Sequence, residues 1–182
     1  MITKYALINI FVFLRNALEK ESVRSLARKL KISPSTSKKS LDYLFEKEIL
    51  KKEVIGNVYQ YYLNNENILT RQLKITCSIA ELNEVNLVKE IIESYPSVSS
   101  IVLFGSVAKG YDTSKSDIDL LVLSSKPLEI RPLKAENKLK RELPIVKYTF
   151  SQWREKALLD PVFYQKVIID GICLYGELPM VK

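Results

Sequence analysis

The sequence has no histidine, and its 182 residues include only two cysteines, one tryptophan and five glycines. Without histidine there can be no Ser-His-Asp or Cys-His catalytic group and none of the common histidine-bearing zinc sites. The two cysteines, Cys77 and Cys173, lie far apart, at no metal-ligand or redox spacing. Each stands among apolar residues and reads as a small buried side chain in a reducing compartment. Long hydrophobic runs are missing too: nothing approaches the roughly 20 residues of a membrane span. The most apolar early stretch, Ala6 to Leu14, contains Asn9, runs into Arg15 and Asn16, and is followed by no small-residue cleavage site. It reads as a core helix of a cytoplasmic protein with no membrane partner. There are no internal repeats and no low-complexity tract. Chemistry in this chain must run on carboxylates, hydroxyls, lysines and a hard metal ion.

Hydrophobic residues make up 47% of the chain, enough for a buried core. The length suits one large domain or two small ones on a prior of roughly 100–200 residues each. The formal net charge is +7, and its placement is uneven. Residues 1–65 carry 12 Lys/Arg against 6 Asp/Glu, whereas residues 66–182 carry 16 against 15. The excess sits in the first third, which points to a polyanionic partner for that third alone.

In that third, Leu7, Ile10, Phe11, Leu14 and Leu18 recur at helical spacing. Ser22 is placed to cap a second helix with Leu26, Ala27 and Leu30 inward. A short connection through Lys31 and Ile32 reaches Ser33-Pro34, a cap followed by proline at the first helical position. The third helix runs to about Lys47 and buries Leu41, Leu44 and Phe45. Near its start, Ser35, Thr36, Lys38 and Lys39 are the side chains expected to meet DNA, because a recognition helix enters the major groove with its N-terminal part. In "ILKKEVIGNVYQYYLN", Gly56-Asn57 between two strand-like runs signals a hairpin, whose Lys51, Lys52 and Asn57 are expected to grip phosphates. This part, residues 1–65, resembles the winged helix-turn-helix family of archaeal and bacterial transcription regulators. The resemblance implies double-stranded DNA as partner and a homodimer reading two half-sites. Winged helices also serve as protein-docking modules, so both uses stand open. Residues 66–94 read as a helical connector, with Leu69, Leu73, Ile75 and Ile79, then Leu87, Val88, Ile91 and Ile92, interrupted near Asn83 or Asn86.

The stretch "SSIVLFGSVAKGYDTSKSDIDLLVLSS" carries the chemistry. The strand-like run Ile101 to Phe104 ends abruptly at Gly105-Ser106, where a glycine allows close backbone approach and the next N–H and hydroxyl suit phosphate oxygens. Asp117 and Asp119, two apart at a strand start, fall on one face about 6–7 Å apart along the strand. Like charges so placed call for a cation, and oxygen-only ligation selects Mg²⁺ or Mn²⁺. "LFGSVAKGYDTSKSDIDLLV" resembles the Gly-Ser…Asp-x-Asp signature of the DNA polymerase β nucleotidyltransferase superfamily, in its minimal nucleotidyltransferase branch. The resemblance covers residues 95–182. It implies a small mixed sheet flanked by helices, so that the whole chain is α+β. It also implies that Gly105 and Ser106 bind a nucleoside triphosphate, that Asp117 and Asp119 bind metal and serve catalysis, and that a HEPN-type protein is a candidate partner.

The superfamily usually supplies a third carboxylate from a later strand. The matching strand here, Pro144 to Phe150, has no Asp or Glu and carries Lys147, with Glu142 just before it. Beyond it, Ser151 is placed to cap a helix with Trp153, Asp160-Pro161 starts another, and Ile172 to Tyr175 reads as a last strand. Two functions follow: a DNA-binding regulator whose second domain binds metal and nucleotide with weak catalysis, or an active nucleotidyltransferase acting on a protein or nucleic acid, as in an antitoxin.

Overall fold

A computed structural model describes residues 10, 12–14, 20–129 and 132–181. The first expected helix lies mostly outside them, although Ile10, Phe13 and Leu14 are helical and buried. The chain divides into two compact units, Met1–Lys74 and Ile75–Lys182.

In the first unit, α1 (Val23–Leu30) starts where Ser22 closes a capping box with Ser25: Ser25 N–H donates to Ser22 Oγ and Ser22 N–H to Ser25 Oγ. It stops at Lys31, which adopts a left-handed conformation (φ 54°). Two residues later Ser33 accepts from the Thr36 N–H, Pro34 fits the first turn, and α2 (Pro34–Glu46) begins. Leu26, Ala27, Leu41 and Leu44 are buried, and the Ser37 hydroxyl donates to the Val23 carbonyl at 3.1 Å. Phe45, expected inside, is only half-buried and lies under Lys52, whose Nζ is 4.1 Å from the ring centroid. The hairpin forms as β1 (Leu50–Ile55) and β2 (Val58–Leu63), with Ile55 opposite Val58 across Gly56-Asn57. The φ of +62° at Gly56 is the left-handed value that such two-residue turns require. Buried Tyr61 donates to Asp42 at 2.9 Å, and burial together with that carboxylate pushes its hydroxyl up to about 12.

Residues 68–94 form α3 (Ile68–Glu84) and α4 (Leu87–Ser94), separated at Asn86, which takes φ +59°. The second unit then builds a four-stranded sheet in the order β5-β4-β3-β6 from β3 (Val98–Phe104), β4 (Asp119–Ser124), β5 (Ile145–Thr149) and β6 (Ile172–Tyr175). β3 is antiparallel to β4 and β6, whereas β4 and β5 are parallel, so the sheet is mixed. Strand alternation divides its side chains between two layers of helix. Ile101, Leu103, Ile118, Leu120 and Val122 pack on one face with Leu87 and Ile91 of α4 and with α6 (Lys134–Leu139). Val102, Phe104, Leu121 and Leu123 pack on the other with Trp153 of α7 (Phe150–Leu159) and Val167 of α8 (Pro161–Asp170). α5 (Gly105–Lys109) is the short turn of helix after β3.

Two local expectations are revised. The cap of α7 is Thr149, not Ser151, because Gln152 reaches back to the Thr149 N–H at 2.9 Å and completes a capping box that Ser151 cannot form. Both cysteines are half-buried rather than enclosed. Lys147 alternates with Val146 and Tyr148, which join the Trp153 layer, so it lies on the opposite face from them. Among the described residues, no helix is long and apolar enough to cross a membrane.

Candidate functional site

The site forms where β3 ends beside the start of β4. Phe104 and Asp119 are paired across the two strands, and the chain turns at Gly105 with φ +75°. A Cβ added to Gly105 would stand 2.0 Å from Asp119 Oδ2, so the aspartate carboxylate occupies the space that any other residue's side chain would need. Glycine is therefore required here twice, by conformation and by contact. Ser106 follows in the first turn of α5, half-exposed, and its carbonyl accepts from the Tyr111 N–H at 3.0 Å.

Asp119 is half-buried and Asp117 exposed, while Ile118 between them is 1% exposed in the core. Asp119 has the parity of Leu121 and Leu123, which places both aspartates on the α7–α8 face of the sheet. Burial raises the Asp119 carboxyl above the usual carboxylate range. The Lys166 ammonium on α8 pulls it back, and the Asp117 charge pushes it up again. A half-desolvated carboxylate beside a second one fits a hard divalent cation, which would remove both penalties at once. Among the described residues, no three acidic, histidine or cysteine side chains cluster to hold an ion.

A carboxyl whose folded pKa is raised favours the fold when protonated, and that contribution is lost as pH climbs from the ordinary carboxylate range through the raised value. At neutral pH, ionised Asp119 therefore opposes folding. Asp119→Asn should raise the thermal midpoint in chelator-treated buffer, and the advantage should vanish in acid. Mg²⁺ should then stabilise the wild type and not the variant. A variant less stable than wild type without metal at pH 7 would refute this assignment.

Two partners of the site carry no local motif. Arg141, just before β5, places Nη2 3.3 Å from Asp112 Oδ2 with both side chains nearly buried, and its Nε donates to the Ser116 carbonyl at 2.7 Å. With Thr113 N–H donating to Ser116 Oγ at 2.9 Å, this closes the loop immediately before Asp117. Lys166 is the second, its Nζ 6.0 Å from the Phe104 ring centroid. Lys109 is occupied differently, with Asp170 at 3.3 Å. Trp153 is 2% exposed and donates to the Pro179 carbonyl at 2.7 Å, as a core residue does.

Of the side chains expected to meet DNA, Ser35, Lys38 and Lys39 are exposed on α2 and Thr36 half-exposed. Lys38 pairs with Asp42 at 2.7 Å, whose hydrogen bond raises its pKa. On the hairpin, Lys51 pairs with Glu66 at 2.6 Å, Lys52 lies over Phe45 and Tyr59, and Asn57 is exposed at the tip.

A glycine-ended strand packed on a strand-borne aspartate pair, in a mixed sheet covered by helices, defines a nucleotidyltransferase-type domain. The sequence matches the family described as Polymerase beta, Nucleotidyltransferase over residues 86–178, just over half the chain. The chain belongs to that family. Among solved structures it is similar to a mutant of the toxin–antitoxin MntA-HpeT (26% identity over 53% of this chain and 74% of that one, TM-score 0.38). It is also similar to a toxin–antitoxin with AMP-PNP (27% identity over 53% and 75%, TM-score 0.38). A point mutant of Lactococcus lactis ZitR matches at 19% identity over 52% and 63%, with TM-score 0.37. No curated protein matches.

Proposed function

We propose that the chain is a DNA-binding transcriptional regulator whose nucleotidyltransferase domain binds a nucleoside triphosphate with Mg²⁺ or Mn²⁺. The observation that supports the nucleotide pocket best is the closure of Gly105 on Asp119. It keeps the backbone at the β3 end bare of side chain next to the aspartate pair, where a phosphate chain can approach. In this reading Gly105 and Ser106 contact the triphosphate, and Asp117 and Asp119 hold the cation. The bound cation would supply charge neutralisation at the phosphoryl oxygens. On β5, the residues facing the aspartates are Val146 and Tyr148, both packed against the Trp153 layer, so this strand offers no base for activating an attacking hydroxyl. Weak transfer and retained binding are the expected result.

The DNA-binding half of the reading treats α1, the tight turn and α2 as a helix-turn-helix and β1–β2 as its wing. Ser35, Thr36, Lys38 and Lys39 stand at the start of the groove-entering helix. A homodimer would set two such helices on successive half-sites. Anisotropy titrations of the full chain should show duplex binding that weakens with salt and fluorescent ATP binding that requires Mg²⁺. Absence of both at 50 mM salt would sink the proposal.

One observation favours active transfer as a second reading. The Ile118 N–H donates to the Glu142 carbonyl at 2.9 Å, which continues the β4–β5 register and sets Glu142 level with Asp117. In that case the chain transfers a nucleoside monophosphate to a protein or nucleic acid, with a HEPN-type partner as a candidate acceptor. Incorporation of labelled nucleotide that Glu142→Gln and Asp117→Asn both abolish would decide for it.

A further inference from the structure

The lysines of the first unit are largely committed. Lys20 pairs with Glu53, Lys29 with Glu21, Lys38 with Asp42 and Lys51 with Glu66, while Lys52 sits over two aromatic rings. A cation already neutralised within the fold must break that pair before it can displace a counterion from a phosphate. The hairpin tip is unsuited to phosphate for another reason: Val54, Ile55, Val58 and Tyr59 are 48–60% exposed around Gly56-Asn57.

Among the described residues, Lys39 on α2 is exposed without such a pair, and three further cations share one element. Arg24, Arg28 and Lys31 are exposed, and among the described residues none has an ion pair or hydrogen bond through its side chain. They fall at i, i+4 and i+7, along one side of α1 and its cap. Together they border a cleft of about 680 Å³ that runs to Pro34, the first residue of α2. From there the surface continues into the hydroxyls of Ser33, Ser35 and Thr36, linked to one another at 2.8–2.9 Å. Seven residues of helix span about 10 Å. One DNA strand advances ~3.4 Å per phosphate, so the stripe runs alongside about three phosphate steps.

From this we infer that the α1 stripe of Arg24, Arg28 and Lys31 is the surface that holds the DNA phosphate backbone, in place of the hairpin lysines. The inference rests on the DNA-binding reading above and specifies its contact. Duplex DNA is favoured over an acidic polypeptide because the stripe is continuous with the hydroxyl-rich start of α2, the helix that enters the groove in the DNA-binding reading.

Salt dependence of duplex binding by the full chain tests it. Each neutralised phosphate contributes about 0.9 to the slope of log K against log salt. The exposed triple substitution Arg24→Gln, Arg28→Gln, Lys31→Gln should lower the slope by roughly 2–3, which is on the order of a 40-fold smaller affinity change between 50 and 200 mM salt. Single substitutions should lower it by about one each, with circular dichroism unchanged. A wild-type slope in the triple variant overturns the inference, as does a slope loss confined to Lys51→Gln, Lys52→Gln. If the triple variant keeps its duplex binding but loses binding to a polyglutamate peptide, the stripe takes acidic protein and the inference fails. If the wild type binds no duplex at 50 mM salt, the DNA-binding reading itself is what has failed.

Discussion

Gly105→Ala is expected to abolish Mn²⁺ and nucleotide binding while leaving the first unit folded. Holding a non-glycine residue at φ +75° costs about 1–3 kcal/mol. The steric demand is the larger part of the functional effect, because the new methyl would need the position of Asp119 Oδ2, 2.0 Å away. Either Asp119 rotates off the site or the β3–α5 turn opens. The turn is held from both sides, by the Phe104–Asp119 pairing and by the Lys109–Asp170 ion pair, so the carboxylate should yield first. Trp153 is the only tryptophan and lies in the second unit's core, so its fluorescence reports that unit's unfolding separately. A lowered Trp153 transition together with lost Mn²⁺ binding is the expected pair of results. Wild-type Mn²⁺ affinity in Gly105→Ala would show that the metal lies elsewhere.

Arg141→Met should have the largest effect on stability. Removing one member of a buried ion pair leaves the other charge desolvated, which typically costs ~3–5 kcal/mol. Here Asp112 is 6% exposed and would lose its guanidinium, while the Ser116 carbonyl would lose its donor. Adding Asp112→Asn to Arg141→Met should recover part of the loss, since the two energies are not additive within a pair. The functional consequence follows from position. The loop that Arg141 closes ends one residue before Asp117, so Mn²⁺ affinity should fall even in the stabilised double variant. If the double variant recovered full metal affinity, Arg141 would be a structural residue only.

Among the described residues, the Lys166 ammonium on α8 is the cation whose charge favours ionised Asp119. Lys166→Met should therefore move the acid limb of metal binding to higher pH, because Asp119 loses the charge that favours its ionised form. A pH titration of Mn²⁺ binding checks this, and an unmoved limb would remove Lys166 from the site's electrostatics.

Local chemistry was legible in the amino-acid order alone. Ser22 and Ser33 with Pro34 announce two helix starts, Gly56-Asn57 announces a two-residue turn, and Gly105-Ser106 with Asp117 and Asp119 announces the family. Each of these is a short-range rule: a cap bonds three residues ahead, a turn needs its φ, and alternate strand residues share a face. Thr149 was within reach of the same rule, since Gln152 stands three residues after it, but the nearer Ser151 was the simpler reading. What lay outside the sequence were the pairings between distant segments. Arg141 meets Asp112 across 29 positions, and Lys166 meets the field of Asp119 across 47. Nor does composition say which of many lysines are neutralised. The count of charges located a basic third of the chain, but only the folded arrangement of Glu21, Asp42, Glu53 and Glu66 decided that Arg24, Arg28, Lys31 and Lys39 remain available. The physical reason is that ion pairing depends on separations of a few ångströms, which sequence distance does not encode.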